Sequence, residues 1–364
     1  MKNVVILHRT YPLPGGPATL IKELINRLSD KFKFRVLSLQ KGDKVIQIKT
    51  KSNIPYLRLI FYHFTSFIIL YKLHKKEKID AILTIGTSTL GGTLFGKIYK
   101  IPTITRLSGT RMDLYKRRQC MSIITKLKKM LYWRVLILEF LGYYLSDIIV
   151  VPTEYSRKRV IEAYPSLKSK VQVLLEGAQV PKKYLNKYEI RRKYGILGDE
   201  KVILFNTYTT TPDIFSESFS RIMNELPKAK VIAIEAHEVK ICAGNGVVKT
   251  KLTAKEALQL GDVLICAPLF EESHSTLTLE SIFLDVPVIA PNIGWFGEEF
   301  KNHPIFLFGE VSPEQITNKI IEYYNNREEF EKQTKELKEE LLRKYRIDKT
   351  IREYEKLLKS MRNR

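Results

Sequence analysis

Residues 262–291 read DVLICAPLFEESHSTLTLESIFLDVPVIAP. The apolar run 262–267 shows no polar alternation, as expected of a strand buried on both faces. A polar loop follows, then helical spacing over 275–285, then a second apolar run at 287–291. Strand, helix and strand in that order predict a βαβ unit and a parallel sheet.

The same alternation extends in both directions. Further strands are expected at 3–8, 33–39, 80–85, 102–106, 146–151 and 171–175, and in a second series at 201–206 and 229–234. Helical patterns fill the gaps at 17–30, 56–78, 88–99, 214–225 and 312–325. A polar junction near 176–198 separates the two series. The fold class is therefore α/β, with two Rossmann-like doubly wound domains facing each other across a cleft. The expected boundaries are 1–178 and 179–344, with a charged helical segment at 345–364. A chain of 364 residues suits two domains.

The net charge is +22. Residues 1–180 hold 32 Lys and Arg against 11 Asp and Glu; residues 181–364 hold 29 against 28. One half is strongly basic and favours an anionic partner: nucleic acid, a membrane surface or a phosphorylated substrate. A uniformly basic packaging protein is excluded. No helix-turn-helix, zinc-finger or RRM signature occurs, so nucleic acid is not the expected partner. Cys120, Cys242 and Cys266 are widely spaced and form no Cys/His cluster. A reducing compartment and no metal site are expected. The apolar run near the N-terminus is too short for a signal peptide and reads as a strand.

Two apolar stretches bear on membranes. Residues 54–71 contain Arg58 and His63, and residues 131–151 contain Arg134, Glu139 and Asp147. Both fall short of the ~20 uncharged residues of a spanning helix. They read as buried crossover helices, with an interfacial surface helix as the alternative. The interfacial reading suits 111–136, where Arg111, Lys116, Arg117, Arg118, Lys126, Lys128 and Lys129 interleave with apolar residues and with Tyr132 and Trp133.

The loop after 262–267 lies where open α/β sheets bind ligands. Glu272 sits in it, and Glu280 follows in the helix. Ser275, Thr276 and Leu277 open that helix, whose free N–H groups and dipole suit a diphosphate. His274 stands beside them and reads equally as a solvated loop histidine. Glu280 is placed to reach a ribose hydroxyl. Gly15 and Gly16, in YPLPGGPATLIKELINRL (11–28), allow close backbone approach to a ligand.

FEESHSTLTLESIFLDVPVIAPNIGWFGEEF (270–300) resembles the Glu-x7-Glu signature and Pro-Val-Ile-Ala tail of family 4 retaining glycosyltransferases of the GT-B fold. The Pro…Gly-Gly loop at 11–28 and the strand-and-helix segments at 79–110 and 145–165 resemble that family too. So do VQVLLEGAQV (171–180) and the tail 312–362, so the resemblance spans nearly the whole chain in order. It implies a nucleotide-sugar donor, with Glu272 facing the donor sugar as the catalytic residue. Glu280 would hold the ribose, the 275–277 amides and Gly15 and Gly16 the donor, and the final helix would cross back to the first domain. No cofactor or metal is implied, because the nucleotide-sugar is a co-substrate. With the basic half, the resemblance further implies a lipid-linked or glycan acceptor at the cytoplasmic face of an anionic membrane.

The sequence departs from the family at several places. FNTYTTTPDIF (205–215) has no basic residue where many members clamp the diphosphate with Arg and Lys. Arg9, Arg106 and Arg111 are the cations that could substitute. Ser108-Gly109 replaces a His-Gly pair, Ala18 stands in place of a Glu, and Ser146 and Glu176 replace an Ala and an Asn. These departures leave open a catalytically silent GT-B-like binding protein and, more remotely, a sugar-nucleotide epimerase.

Overall fold

The computed structural model describes residues 1–13, 15–42, 45–50, 55–87, 89–110, 126–181, 186–196, 200–207, 210–235, 239–243, 246–250, 252–268 and 275–361. The chain forms two compact units: Met1–Leu175 with Asp348–Arg364, and Glu176–Ile347.

Unit 1 runs β1 (Lys2–Leu7), α1 (Gly16–Leu28), β2 (Phe32–Ser38), β3 (Val45–Gln47), α2 (Pro55–Lys76), β4 (Ala81–Ile85), α3 (Leu90–Tyr99), β5 (Thr103–Arg106), α4 (Lys126–Leu145), β6 (Ile148–Val151), α5 (Glu154–Ala163) and β7 (Val171–Val173). The sheet order is β3-β2-β1-β4-β5-β6-β7, and every neighbouring pair is parallel. Successive strands build outward from β1 in one direction and then in the other. The carboxyl ends of β1 and β4 therefore form the switch point where such sheets take ligands.

Aspartates fix the strand entries. Asp80, just before β4, accepts the Asn3 amide at 2.7 Å, and Asp147, before β6, accepts the Thr103 amide at 2.9 Å. Buried hydroxyls form a chain from Thr84 to Thr105 (2.8 Å) and Ser146 (2.5 Å), and Ser146 donates to the Gly142 carbonyl at 3.0 Å. Ser146 thus has a structural task that an alanine could not perform.

Helices α2, α3 and α4 lie side by side with α3 in the middle. A Cβ on Gly91 of α3 would stand 2.2 Å from Ser66 Oγ of α2, and one on Gly142 of α4 would stand 2.2 Å from Thr89 Oγ1 at the start of α3. Glycine permits both approaches. The expectation that 54–71 and 131–151 form buried crossover helices needs correction. Leu59, Tyr62 and Leu70 of α2 are buried, but Phe64 is 64% exposed, as is Ile137 of α4 at 55%. Each helix packs inward on one side, and its other side is left uncovered by the described residues. No helix among the described residues is long and apolar enough to cross a membrane.

Unit 2 runs α6 (Lys187–Lys193), β8 (Val202–Asn206), α7 (Pro212–Glu225), β9 (Lys230–Ile234), β10 (Val239–Ala243), β11 (Gly246–Thr250), α8 (Ala254–Leu260), β12 (Val263–Cys266), α9 (Thr276–Phe283), β13 (Val288–Pro291), α10 (Gly294–Glu299), β14 (Leu307–Phe308), α11 (Pro313–Asn325) and α12 (Arg327–Lys344). Its sheet order is β11-β10-β9-β8-β12-β13-β14. The β9-β8-β12-β13-β14 part is parallel, whereas β10 pairs antiparallel with both β9 and β11. This antiparallel edge was not expected from the sequence. The order again reverses at a switch point, between β8 and β12.

The chain enters unit 2 after Leu175 and leaves it before Asp348. The two stretches pair there: the Ala178 amide donates to Tyr345 O at 3.0 Å, and the Ile347 amide to Ala178 O at 3.1 Å. A Cβ on Gly177 would stand 2.1 Å from Tyr345 O, so this crossing requires glycine. Helix α13 (Ile347–Ser360) then packs on unit 1. Asp348 pairs with Arg27, Glu355 with Lys31 at 3.0 Å, and Lys2 Nζ donates to Met361 O at 2.6 Å. With the units so bounded, unit 1 carries 38 Lys and Arg against 13 Asp and Glu, net +25; unit 2 carries 23 against 26, net −3.

Candidate functional site

The β12–α9 crossover of unit 2 sits at its switch point. Val263–Cys266 are buried and lie between β8 and β13, which aims the chain out of the sheet's carboxyl edge. Residues 269–274 lie outside the described residues, and with them Glu272 and His274. Ser275 is the N-cap of α9, and its hydroxyl accepts the Thr278 amide at 3.3 Å. Thr278 Oγ1 is held at 3.3 Å from Cys266 Sγ, so helix and strand are tied together under the crossover. The Thr276 and Leu277 amides have no acceptor among the described residues. Unpaired amides at a capped helix start form an anion site.

Glu280 follows Thr276 by four residues, one turn inward on the same helix face. It is buried, at 7% exposure. Lys255 Nζ of α8 stands 3.7 Å from Glu280 Oε1 and donates to Gln179 Oε1 at 3.2 Å. Burial pushes the Glu280 carboxyl above its ordinary range, and Lys255 pulls it part of the way back. Sequence reasoning missed Lys255. Its one signal was the N-terminal pattern T-A-K-E (253–256), which folds into a capping box: Thr253 and Glu256 bind reciprocally and fix the start of α8.

The hydroxyl run after β8 is partly engaged. Thr207 Oγ1 donates to Ile234 O at 3.3 Å, and Thr211 caps α7 by accepting the Ile214 amide at 3.4 Å. Tyr208 and Thr209 lie outside the described residues.

In unit 1, Gly15 is the N-cap of α1 with φ 146°, a backbone conformation that favours glycine, and a Cβ there would meet open space. Gly16 and Pro17 begin the helix, and no side chain caps it. At the carboxyl ends of β1 and β5, which flank β4, stand His8, Arg9 and Arg106. Arg106 is 2% exposed and donates to the Ser108 hydroxyl. Burial, with Arg106 and Arg9 beside it, holds the His8 pKa down at about 4, so the ring is neutral near pH 7. Arg111, Lys116, Arg117 and Arg118 lie outside the described residues; Lys126, Lys128 and Lys129 open α4. The candidate groups thus fall on two switch points, one per unit.

Solved structures share this architecture. The lipopolysaccharide-biosynthesis glycosyltransferase WaaG matches over 98% of this chain and 100% of its own, with TM-score 0.75 at 12% identity. The Anabaena protein HepE, in complex with UDP and glucose, matches over 99% and 100%, with TM-score 0.73 at 11% identity. The chain has the GT-B fold. In sequence, it is 25% identical over 208 residues to an uncharacterized glycosyltransferase of Methanocaldococcus jannaschii, covering 54% of this chain and 49% of that protein. The match thus spans about half the length of that relative. No protein-family model matches the chain.

Proposed function

We propose that the chain is a retaining glycosyltransferase of the family 4 type. It would transfer a sugar from a nucleotide-sugar to a lipid-linked or glycan acceptor at the cytoplasmic face of a membrane. The carrying observation is the β12–α9 crossover: two helix-start amides with no acceptor among the described residues and a buried carboxylate one turn further in. In this reading the Thr276 and Leu277 amides take the diphosphate and Glu280 takes the ribose. Glu272 positions the donor sugar, as the resemblance implies. Helix-start amides and the dipole stabilise the charge growing on the departing diphosphate. That diphosphate in turn accepts the acceptor's proton, so the protein supplies little acid–base machinery. Unit 1, net +25, is the acceptor side.

The HepE structure with UDP and glucose supports beginning with uridine diphosphate sugars. A thermal-shift panel of UDP-, GDP- and ADP-sugars tests the donor site, since a ligand that binds only the folded chain stabilises it by mass action. A shift with one nucleotide class is expected, and no shift with any of them would refute the donor site.

A second reading has one observation in its favour. The 205–215 stretch has no cation, and Thr207 and Thr211 spend hydroxyls on the chain's own backbone. This suits a protein that binds a nucleotide-sugar without transferring it. Release of nucleotide from the stabilising donor, abolished in Glu272→Ala, decides for the enzyme; binding without turnover decides for the silent protein.

A further inference from the structure

Eleven of the fifteen large apolar side chains exposed among the described residues lie on just three helices, α2, α3 and α4. Leu57, Ile60, Phe61 and Phe64 are spaced three and four apart, which puts them on one face of α2. On α4, Trp133, Ile137, Leu141 and Tyr144 make an equivalent stripe. Between these two helices, α3 exposes Leu94 and Ile98. Glycine-mediated contacts hold the three helices side by side, so the stripes belong to one helical layer of unit 1. Soluble monomers scatter such residues; a contiguous apolar face marks an interaction surface.

The charges on this layer select its partner. The three helices contain nine Lys and Arg and one acidic residue, Glu139. Glu139 is 2% exposed and accepts the Tyr164 hydroxyl at 3.1 Å, so it does not offset the cations outside. Arg58, Lys97 and Arg134 are exposed among the apolar side chains. Apolar side chains with cations and no exposed carboxylate fit the headgroup and upper acyl layer of an anionic bilayer. A second copy of the chain would bring the same cations face to face, which disfavours self-association here.

We infer that the shared outer face of α2, α3 and α4 seats unit 1 on an anionic lipid surface by burying its apolar stripes. The inference rests on the membrane-acceptor part of the function proposed above. It places the contact on a helical layer that includes α2 and α3 as well as α4.

The test is co-sedimentation of the full chain with vesicles of phosphatidylglycerol and phosphatidylcholine, and with phosphatidylcholine alone. The wild type should bind the anionic vesicles. The triple variant Phe64→Glu, Ile98→Glu, Ile137→Glu should bind about tenfold more weakly or worse. All three positions are exposed, and an unchanged melting temperature checks the fold. Arg58→Gln with Lys97→Gln and Arg134→Gln should weaken binding most at low salt. Equal binding of wild type and triple glutamate variant overturns this surface and leaves the membrane-acceptor reading standing. No binding of the wild type to either vesicle overturns both. A wild-type dimer that the glutamates convert to monomer overturns the lipid partner in favour of a second copy. The UDP-sugar thermal shift reads the donor site independently of all these outcomes.

Discussion

Unit 1 and unit 2 are each wound around a central switch point, yet they differ in how they handle charge. Unit 1 has a net charge of +25 and an exposed apolar layer; unit 2 has −3 and, among the described residues, exposes only Val180 and Tyr188 of the large apolar side chains. The strand-entry aspartates show the difference in miniature. Asp80 accepts the Asn3 amide, whereas Asp262, buried before β12, accepts the Val202 amide at 2.8 Å and pairs with Lys187 at 2.8 Å and Arg191 at 2.9 Å. Sheets wound alike about a switch point thus support a unit with a large positive excess and an exposed apolar layer, and a near-neutral unit whose entry aspartate is buried among cations.

The sharpest way to break that contrast is at these aspartates. Asp262→Ala leaves the buried Arg191 guanidinium uncompensated and should cost about 3–5 kcal/mol in urea unfolding. Asp80→Ala should cost about 1–3 kcal/mol, the loss of an acceptor for one amide. Equal losses would remove the distinction. Burial pushes the Asp262 carboxyl up, but Lys187, the Val202 amide and Arg191 outweigh it and hold it below its ordinary range. Its contribution is therefore complete above the unfolded pKa of about 3.9 and is lost as pH falls through the lower folded value.

The two helix starts are the next test. Gly15→Ala forces a side chain onto a glycine-only conformation and should cost about 1–3 kcal/mol, read as a lower melting temperature. Ser275→Ala removes the α9 cap and should cost about 1 kcal/mol. A larger loss at Ser275 than at Gly15 would reverse the ranking of the two sites.

On the donor side, Glu280→Gln should weaken UDP-sugar binding about tenfold, or ~1.4 kcal/mol, with the fold intact. Because burial raises the Glu280 pKa, donor binding should fall as pH drops through that raised value, and Lys255→Met should move the midpoint higher still. Isothermal titration across pH checks this; a midpoint unmoved by Lys255→Met would separate Lys255 from the site.

The smallest effect belongs to unit 1. An NMR titration should find His8 neutral down to about pH 4. Arg106→Met should raise that pKa but leave it short of the ordinary 6.5, because burial is the larger cause.

Most of the fold was legible because buried parallel strands need unbroken apolar runs. The runs at 80–85, 201–206 and 262–267 match β4, β8 and β12 to within a residue or two. The hairpin β10–β11 was missed, since VKICA and GVVKT are short and, with Lys240 and Lys249 in them, show neither an unbroken apolar run nor strict alternation. The helix start at Ser275 and the open Gly15–Gly16 turn were also visible, because caps and turns are local chemistry. Lys255 was not: it meets Glu280 across 25 residues of chain through the packing of two helices. Glu272 and His274 rest on the sequence alone.

By itself, then, the sequence determined the alternation of strands and helices, the caps and the excess of positive charge, all properties of neighbouring residues. The tertiary structure decided where the charge divides: α13 returns to unit 1, as the resemblance implied, and brings its own cations. It also decided that α2 and α4 are one-sided. An apolar helix looks the same in sequence whether its second face meets a sheet or meets solvent, and only packing against α3 and the strands shows which face the described residues leave uncovered.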